Sequence, residues 1–177
     1  MAYTTPSTHP NSYIVTSTDW AIQVNNDKFF HGPPTVRVVR AAAQSLASGT
    51  FTAIAFSSKD WDTNTMFATT GTKVTCKTAG KFLVTFSGGF QPSTAGSNWL
   101  IGVRKNSTGT AEPNEFETIL SVKRTASAHL VGSISGEVAL STGQFIEGVM
   151  YQDTGGSINT STQAGRRPKL SMLWVSS

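Results

Sequence analysis

The chain has 177 residues, a formal net charge of +4 and only 14% charged residues, and its length suffices for one ordinary domain with a packed core. Its basic residues are scattered, and the only compact pair that flanks a turn is Arg166-Arg167, so the charge is expected to aid solubility and does not indicate a nucleic-acid surface. No stretch reaches the roughly 18 apolar residues of a membrane span, and the first residues lack the pattern of a secretion signal, so we expect folding in a cytoplasm.

Residues 1–34 differ from the rest, because they hold four of the seven prolines. We expect an extended opening, followed by a helix over residues 18–30 that Ser17 or Thr18 caps. This segment is predicted to be an anchoring arm, separate from a head domain at residues 35–177. The apolar side chains of the helix must pack on the domain, on sister subunits or on another protein; they are Trp20, Ile22, Val24, Phe29 and Phe30.

Everything after residue 34 is predicted to be β-structure, since 25 threonines and 21 serines favour strands and turns over helices. The predicted strands are Val36–Ala42, Gly49–Phe56, Lys73–Cys76, Lys81–Phe90, Trp99–Lys105, Glu117–Arg124, Ala128–Leu140, Gln144–Tyr151 and Lys169–Val175. Turn clusters, including residues 57–64, 91–98 and 153–165, separate them. This spacing, with no helices between the strands, indicates an all-β antiparallel jelly-roll sandwich.

The segment Lys81–Phe90 is the most informative strand. Its large apolar side chains, Phe82, Phe86 and Phe90, recur with the alternation of a strand that has one buried face. The sequence leaves open whether these three rings fill the core or form a contact between subunits. An opposite set, Val103, Val122 and Val149, is the alternative for such a contact.

Candidate chemical groups are few and dispersed. Asp60 and Asp62 could ligate calcium, but a capping or solvated role fits them better without a glycine-rich ligand loop. The lone Cys76 is expected to be a buried strand residue and not a nucleophile. Glu112, Glu115 and Glu117 are expected to lie on the rim of a loop and not to form the pair of opposed carboxylates that a glycosidase needs. His9, His31 and His129 are not spaced along the chain as the ligands of a metal site are. We therefore predict no enzyme activity, no metal and no cofactor.

Two tryptophans near predicted loops raise a further possibility. Trp61 and Trp99 could stack on sugars, although packing in a core or an interface is the more common use of such side chains.

The order of these motifs resembles the globular head of complement component C1q and of the related tumour-necrosis-factor ligands. The segments that carry the likeness are Val36–Ala42, 49–56, Lys59–Thr63 leading to Met66-Phe67, Lys73–Cys76, Ala79–Phe86, Gly136–Ile146 and Leu170–Val175. Gln144 departs from the pattern, since the family usually has Asp there, and no Gly-X-Y stalk is present. Heads of this superfamily form trimers, so the resemblance implies a homotrimer.

The first residues resemble a second group, bacteriophage virion proteins that begin Met-Ala-Tyr-Thr-Thr-Pro and pass through a short helix into such a head. Met1–Pro6 and Thr16–Phe30 match that scheme. The likeness implies a virion structural protein that is made in the host cytoplasm, decorates the head or forms a head fibre, and docks on capsid or tail proteins through its arm. The alternative is a tail-fibre module of the same fold that binds a receptor or a cell-surface glycan through its loops.

Overall fold

The computed structural model describes residues 16–93, 98–106, 116–123 and 130–177, which form one helix and twelve strands. The helix is α1 (Ser17–His31). The strands are β1 (Thr35–Val39), β2 (Ser45–Leu46), β3 (Thr52–Ala53), β4 (Ser58–Asp62), β5 (Lys73–Thr75), β6 (Gly80–Phe90), β7 (Asn98–Lys105), β8 (Phe116–Lys123), β9 (Leu130–Leu140), β10 (Phe145–Gln152), β11 (Ile158–Asn159) and β12 (Lys169–Ser176).

Helix α1 begins one residue before the predicted start, and its cap differs from the prediction. Thr16, rather than Ser17 or Thr18, is the capping residue. The Thr16 hydroxyl accepts a hydrogen bond from the Asp19 amide (3.3 Å), and the Asp19 carboxylate accepts one from the Thr16 amide (2.8 Å). This reciprocal arrangement satisfies two free amides of the first helical turn, and it places a carboxylate at the positive end of the helix.

The strands form two antiparallel five-stranded sheets that pack face to face. The first sheet has the order β4-β1-β12-β6-β9, and the second has the order β3-β10-β7-β8 with β5 also paired to β10. Strands distant in sequence are neighbours in both sheets, as expected for the crossing connections of a sandwich. β11 and β2 form a separate two-stranded ribbon.

The core lies between the two sheets, and the phenylalanines of β6 are its centre. Phe82, Phe86 and Phe90 are fully buried. A Cβ atom placed on Gly148 of β10 would lie 2.5 Å from the Phe86 ring, so the ring packs directly on the glycine backbone of the opposite sheet. This close approach needs a residue without a side chain at position 148.

The long strands confirm most of the sequence-based strand predictions within one or two residues. The prediction was wrong for residues 57–64, because β4 forms there as an exposed edge strand beside β1. It was also wrong at the end of the first strand. β1 stops at Val39 since the Arg40 guanidinium donates hydrogen bonds to the carbonyl groups of Ala42, Ala43 and Ala55 and so holds a turn.

Of the predicted strand Gly49–Phe56, only the two residues of β3 are a strand. Gly49 has a left-handed φ of 73°, and the Gln44 side chain forms hydrogen bonds with the Ala53 carbonyl and the Ala55 amide. Residues 124 and 128–129, which end or begin two predicted strands, lie outside the described residues.

Candidate functional site

The outward face of the first sheet carries an exposed apolar patch formed by Leu83, Leu173 and Val175. Their exposed fractions are 41%, 41% and 50%. Leu83 of β6 lies directly opposite Leu173 of β12 in the strand register. Because side chains alternate along a strand, burial of Phe82 and Val84 forces Leu83 outward.

The rest of this face is polar: Glu137 of β9 lies opposite Leu83 in the register, and most of the other outward positions are short and uncharged. At the next outward level of the register, Thr85 lies between Ser171 and Ser135. The Thr85 and Ser135 hydroxyl groups are 2.9 Å apart and hydrogen-bonded. Short hydroxyl side chains beside an apolar patch can be covered by another protein surface with little desolvation of charge.

Trp61 lies at the edge of the same face, on β4, and it is partly exposed. The Arg37 guanidinium is 5.2 Å from the Trp61 ring centre and forms an ion pair with Asp60 (3.2 Å). The indole nitrogen donates a hydrogen bond to the Thr35 hydroxyl (3.2 Å). These contacts fix the ring, so Trp61 is a pre-ordered aromatic contact residue at the sheet edge.

Asp62 is part of a turn. Its carboxylate accepts hydrogen bonds from the amides of Met66 (2.9 Å) and Phe67 (3.1 Å), and Lys59 lies 3.4 Å away. Asp60 is paired with Arg37. The two carboxylates considered for calcium are thus bound to different protein groups, and across the described ranges no three potential ligands cluster as a metal site requires.

The five residues predicted to anchor the arm fall on different faces of α1. Phe29 is buried edge-to-face against Trp174 of β12, with ring centres 4.5 Å apart, and thus ties the helix to the head. Ile22 is half-buried. Trp20, Val24 and Phe30 have exposed fractions of 65%, 46% and 60%, and the Phe30 ring centre also lies 6.4 Å from that of Trp174.

The residue sets proposed for a contact between subunits lie elsewhere. Phe82, Phe86 and Phe90 face the opposite sheet and are unavailable as a surface. Val103 also belongs to the core, Val149 is buried, and the side chain of Val122 lies outside the described residues.

The remaining candidates are structural where they are described. Trp99 is buried edge-to-face against Phe90 (4.7 Å) and so cannot stack on a sugar. Burial raises the pKa of the Cys76 thiol, so the nucleophilic thiolate is scarcer than in a free cysteine. His31 lies 3.5 Å from Asp27 on the exposed end of α1, and Glu117 is exposed on β8. His9, Glu112, Glu115 and His129 lie outside the described residues.

A buried ion pair joins β7 and β10. Arg104 donates a hydrogen bond to the Glu147 carboxylate at 3.0 Å, and both side chains are nearly inaccessible to solvent. The Thr72 hydroxyl donates a second hydrogen bond to Glu147. This pair could not be predicted from the sequence, because its members are far apart along the chain and only the strand register brings them together.

Among the described residues the one helix is α1, and it is too short and too polar to cross a bilayer.

No protein-family model and no curated protein matches the chain. Among solved structures it is similar to the globular domain of the zebrafish complement 1qA protein, with a TM-score of 0.58 and 15% identity over 80% of this chain and 97% of that one. It is also similar to murine APRIL, with a TM-score of 0.58 and 14% identity over 79% and 98% of the two chains. For Eiger TNF from S. frugiperda the TM-score is 0.55 and the identity 9% over 81% and 94%. The likeness confirms the predicted fold class, a jelly roll of the tumour-necrosis-factor and C1q type.

Proposed function

We propose that this jelly-roll protein is a non-enzymatic structural protein of a bacteriophage particle. In this proposal three copies associate into a homotrimer on the surface of the virion, as head decoration or as a head fibre. The arm at residues 1–34 docks each trimer on capsid or tail proteins. The protein is made in the host cytoplasm and is then part of the virion.

The observation that carries the proposal is the exposed apolar patch of Leu83, Leu173 and Val175. A sheet face that combines exposed apolar residues with short hydroxyl groups is suited to contact with another copy. Rotational symmetry then covers the same patch on every copy and closes the assembly. Self-association through this face also agrees with a chain in which only 14% of residues are charged.

The contacts of the carboxylate and thiol side chains support a non-enzymatic role. Glu147 is paired with Arg104, Asp60 with Arg37, and Asp62 holds a turn. Cys76 is buried. Catalytic carboxylates and thiols are normally aimed at a substrate cleft, whereas these groups are bound to the protein itself.

Helix α1 and the sequence before it support the anchoring role. Trp20, Val24 and Phe30 are exposed on a helix that precedes the head, and aromatic residues of this kind are common at the centres of protein interfaces. The likeness of Met1–Pro6 to the start of phage virion proteins points to a particle as the partner.

The purified chain is expected to sediment at about three times its mass of 18.8 kDa. Leu83→Gln combined with Leu173→Gln should raise the concentration at which the assembly dissociates by on the order of 100-fold, because each copy loses apolar surface in the contact. Both residues are exposed, so the fold should persist. Trp20→Gln combined with Val24→Gln is the matched control, and it should leave the sedimentation unchanged. A wild-type chain that stays monomeric at high concentration would refute the homotrimer.

The same pair of variants tests the anchoring role on particles. Trp20→Gln combined with Val24→Gln should yield folded trimers that are missing from purified virions, measured by quantitative mass spectrometry of the particles. Gln23→Ala, an exposed polar position on the same helix, is the control and should be incorporated normally. Normal incorporation of the double variant, or absence of the wild-type protein from particles, would contradict the proposal.

A further inference from the structure

A break in the strand register brings three side chains together at the edge of the first sheet: Arg37, Asp60 and Trp61. Arg37 of β1 lies opposite Trp61 of β4, and the next residue of β1, Val38, lies opposite Lys59. Asp60 has no partner in this register, so it is the extra residue of a β-bulge. Two residues of a bulged strand face a single residue of the partner strand, and Asp60 and Trp61 therefore both face Arg37. We name these three residues the bulge site.

The contacts of Arg37 agree with this geometry. Val36 and Val38 on either side of it belong to the core, so Arg37 points to the outward face of the sheet. Its guanidinium carbon is 5.2 Å from the Trp61 ring centre, and its Nε atom is 3.2 Å from the Asp60 carboxylate. With the indole nitrogen also bound to a hydroxyl group (3.2 Å), the bulge site is an ordered aromatic ring beside a guanidinium and a carboxylate.

The bulge site keeps polar groups that a ligand can reach. The side chains of Arg37 and Asp60 are 31% and 37% exposed. Among the described residues, none forms a hydrogen bond with an Nη group of Arg37 or with the Oδ1 atom of Asp60. A guanidinium only donates hydrogen bonds and an ionised carboxylate only accepts them. A ligand that satisfies both must carry donors and acceptors beside an apolar surface that covers the ring.

The charges of the bulge site favour a neutral ligand. Arg37 and Asp60 compensate each other, and the neighbouring Lys59 of the same strand is paired with Asp62 at 3.4 Å. A cationic ligand would meet the guanidinium and an anionic one the carboxylate, and like charges side by side weaken binding. A proline-rich peptide also packs on exposed aromatic rings, but proline has no N–H and would leave Asp60 without a donor.

We infer that the bulge site binds a neutral sugar unit of a polysaccharide. The C–H face of a pyranose ring packs on the indole, and its hydroxyl groups donate to Asp60 and accept from Arg37. β4 is the edge strand of its sheet, so a long polymer can pass over the site. Of the two tryptophans considered for sugar stacking, Trp99 is buried and Trp61 is 43% exposed. The inference goes beyond the structural role and does not depend on a trimer or a particle.

Biolayer interferometry tests the site by measuring binding of the full chain to three immobilised neutral polysaccharides: dextran, laminarin and mannan. We expect the wild-type chain to bind at least one of them. Trp61→Ala should weaken that binding about tenfold or more, because the stacking surface is lost. Asp60→Asn keeps the shape of the side chain and removes its charge, so it should weaken binding by roughly threefold or more. This second variant keeps the test valid if Trp61→Ala folds poorly.

The matched control is Trp20→Ala, which removes a more exposed tryptophan from α1, outside the bulge site, and should leave sugar binding unchanged. Equal loss in this control would overturn the inference. So would failure of the wild-type chain to bind any of the three polysaccharides, or tighter binding of a polyproline peptide.

Sedimentation of the same variants separates sugar binding from self-association. Folded Trp61→Ala should sediment as the wild-type chain does. A loss of self-association in this variant would assign Trp61 to the contact between copies and overturn the sugar site. Sugar binding by a wild-type chain that stays monomeric would support the inference and refute the homotrimer.

Discussion

Phe86→Ala is expected to lower the free energy of unfolding by about 3–5 kcal/mol, the range measured when a buried aromatic ring is removed from a core. Phe86 is fully buried at the centre of β6 and packs directly on Gly148 of the opposite sheet. Its neighbours belong to two hydrogen-bonded sheets that cannot collapse fully into the space of the ring. Chemical denaturation measured by circular dichroism gives the change.

The contact between Phe86 and Gly148 allows a sharper test than the single variant. Gly148→Ala alone should destabilise the fold by about 1–3 kcal/mol, because its methyl group overlaps the ring. In the Phe86→Ala background the same methyl group fills part of the cavity, so it should cost less or even stabilise. Lys81→Ala, exposed on the same strand, is the control and should change stability by less than about 0.5 kcal/mol. Additive effects at positions 86 and 148 would show that the two sheets do not pack as described.

Glu147→Gln is expected to destabilise the fold by about 3–5 kcal/mol, because it leaves the Arg104 charge buried without its carboxylate. The 3.0 Å ion pair and the Thr72 hydrogen bond lie where solvent cannot replace them. Glu137→Gln removes an exposed carboxylate on β9 and serves as the control, with a change of less than about 0.5 kcal/mol.

A double variant separates the charge from the packing. Arg104→Met combined with Glu147→Leu replaces both charges with apolar groups, and it should be far less destabilising than Glu147→Gln alone. If Glu147→Gln matched the Glu137→Gln control in thermal unfolding, the pair would contribute nothing measurable and this account of it would be wrong.

The alternation of residues predicted the long strands because it follows directly from the geometry of a strand with one buried face. β6, β7, β10 and β12 are found within one or two residues of their predicted ends. β4 was missed because its residues, Ser58–Asp62, are all at least partly exposed and so carry no apolar alternation. Its partner strand, and not its own sequence, makes it a strand.

The candidate surfaces were harder to predict than the core. The sequence left open whether the large aromatic residues of β6 form a contact between subunits. They lie on the buried face of the strand, and the smaller Leu83 between them is exposed. The signal was present, since a residue that alternates with buried phenylalanines must face outward. The partner of Leu83 in the patch, Leu173, could be found only once β12 was placed beside β6.

The sequence by itself determined the all-β class, the positions of the long strands, the short helix before them and the separation of the reactive side chains, because these depend on local periodicity and composition. Only the tertiary structure decided which strands are neighbours. That order creates the apolar patch and the buried pair of Arg104 and Glu147 from residues far apart in the chain. Pairing between distant strands depends on the packing of the whole sandwich, and a short stretch of sequence does not encode it.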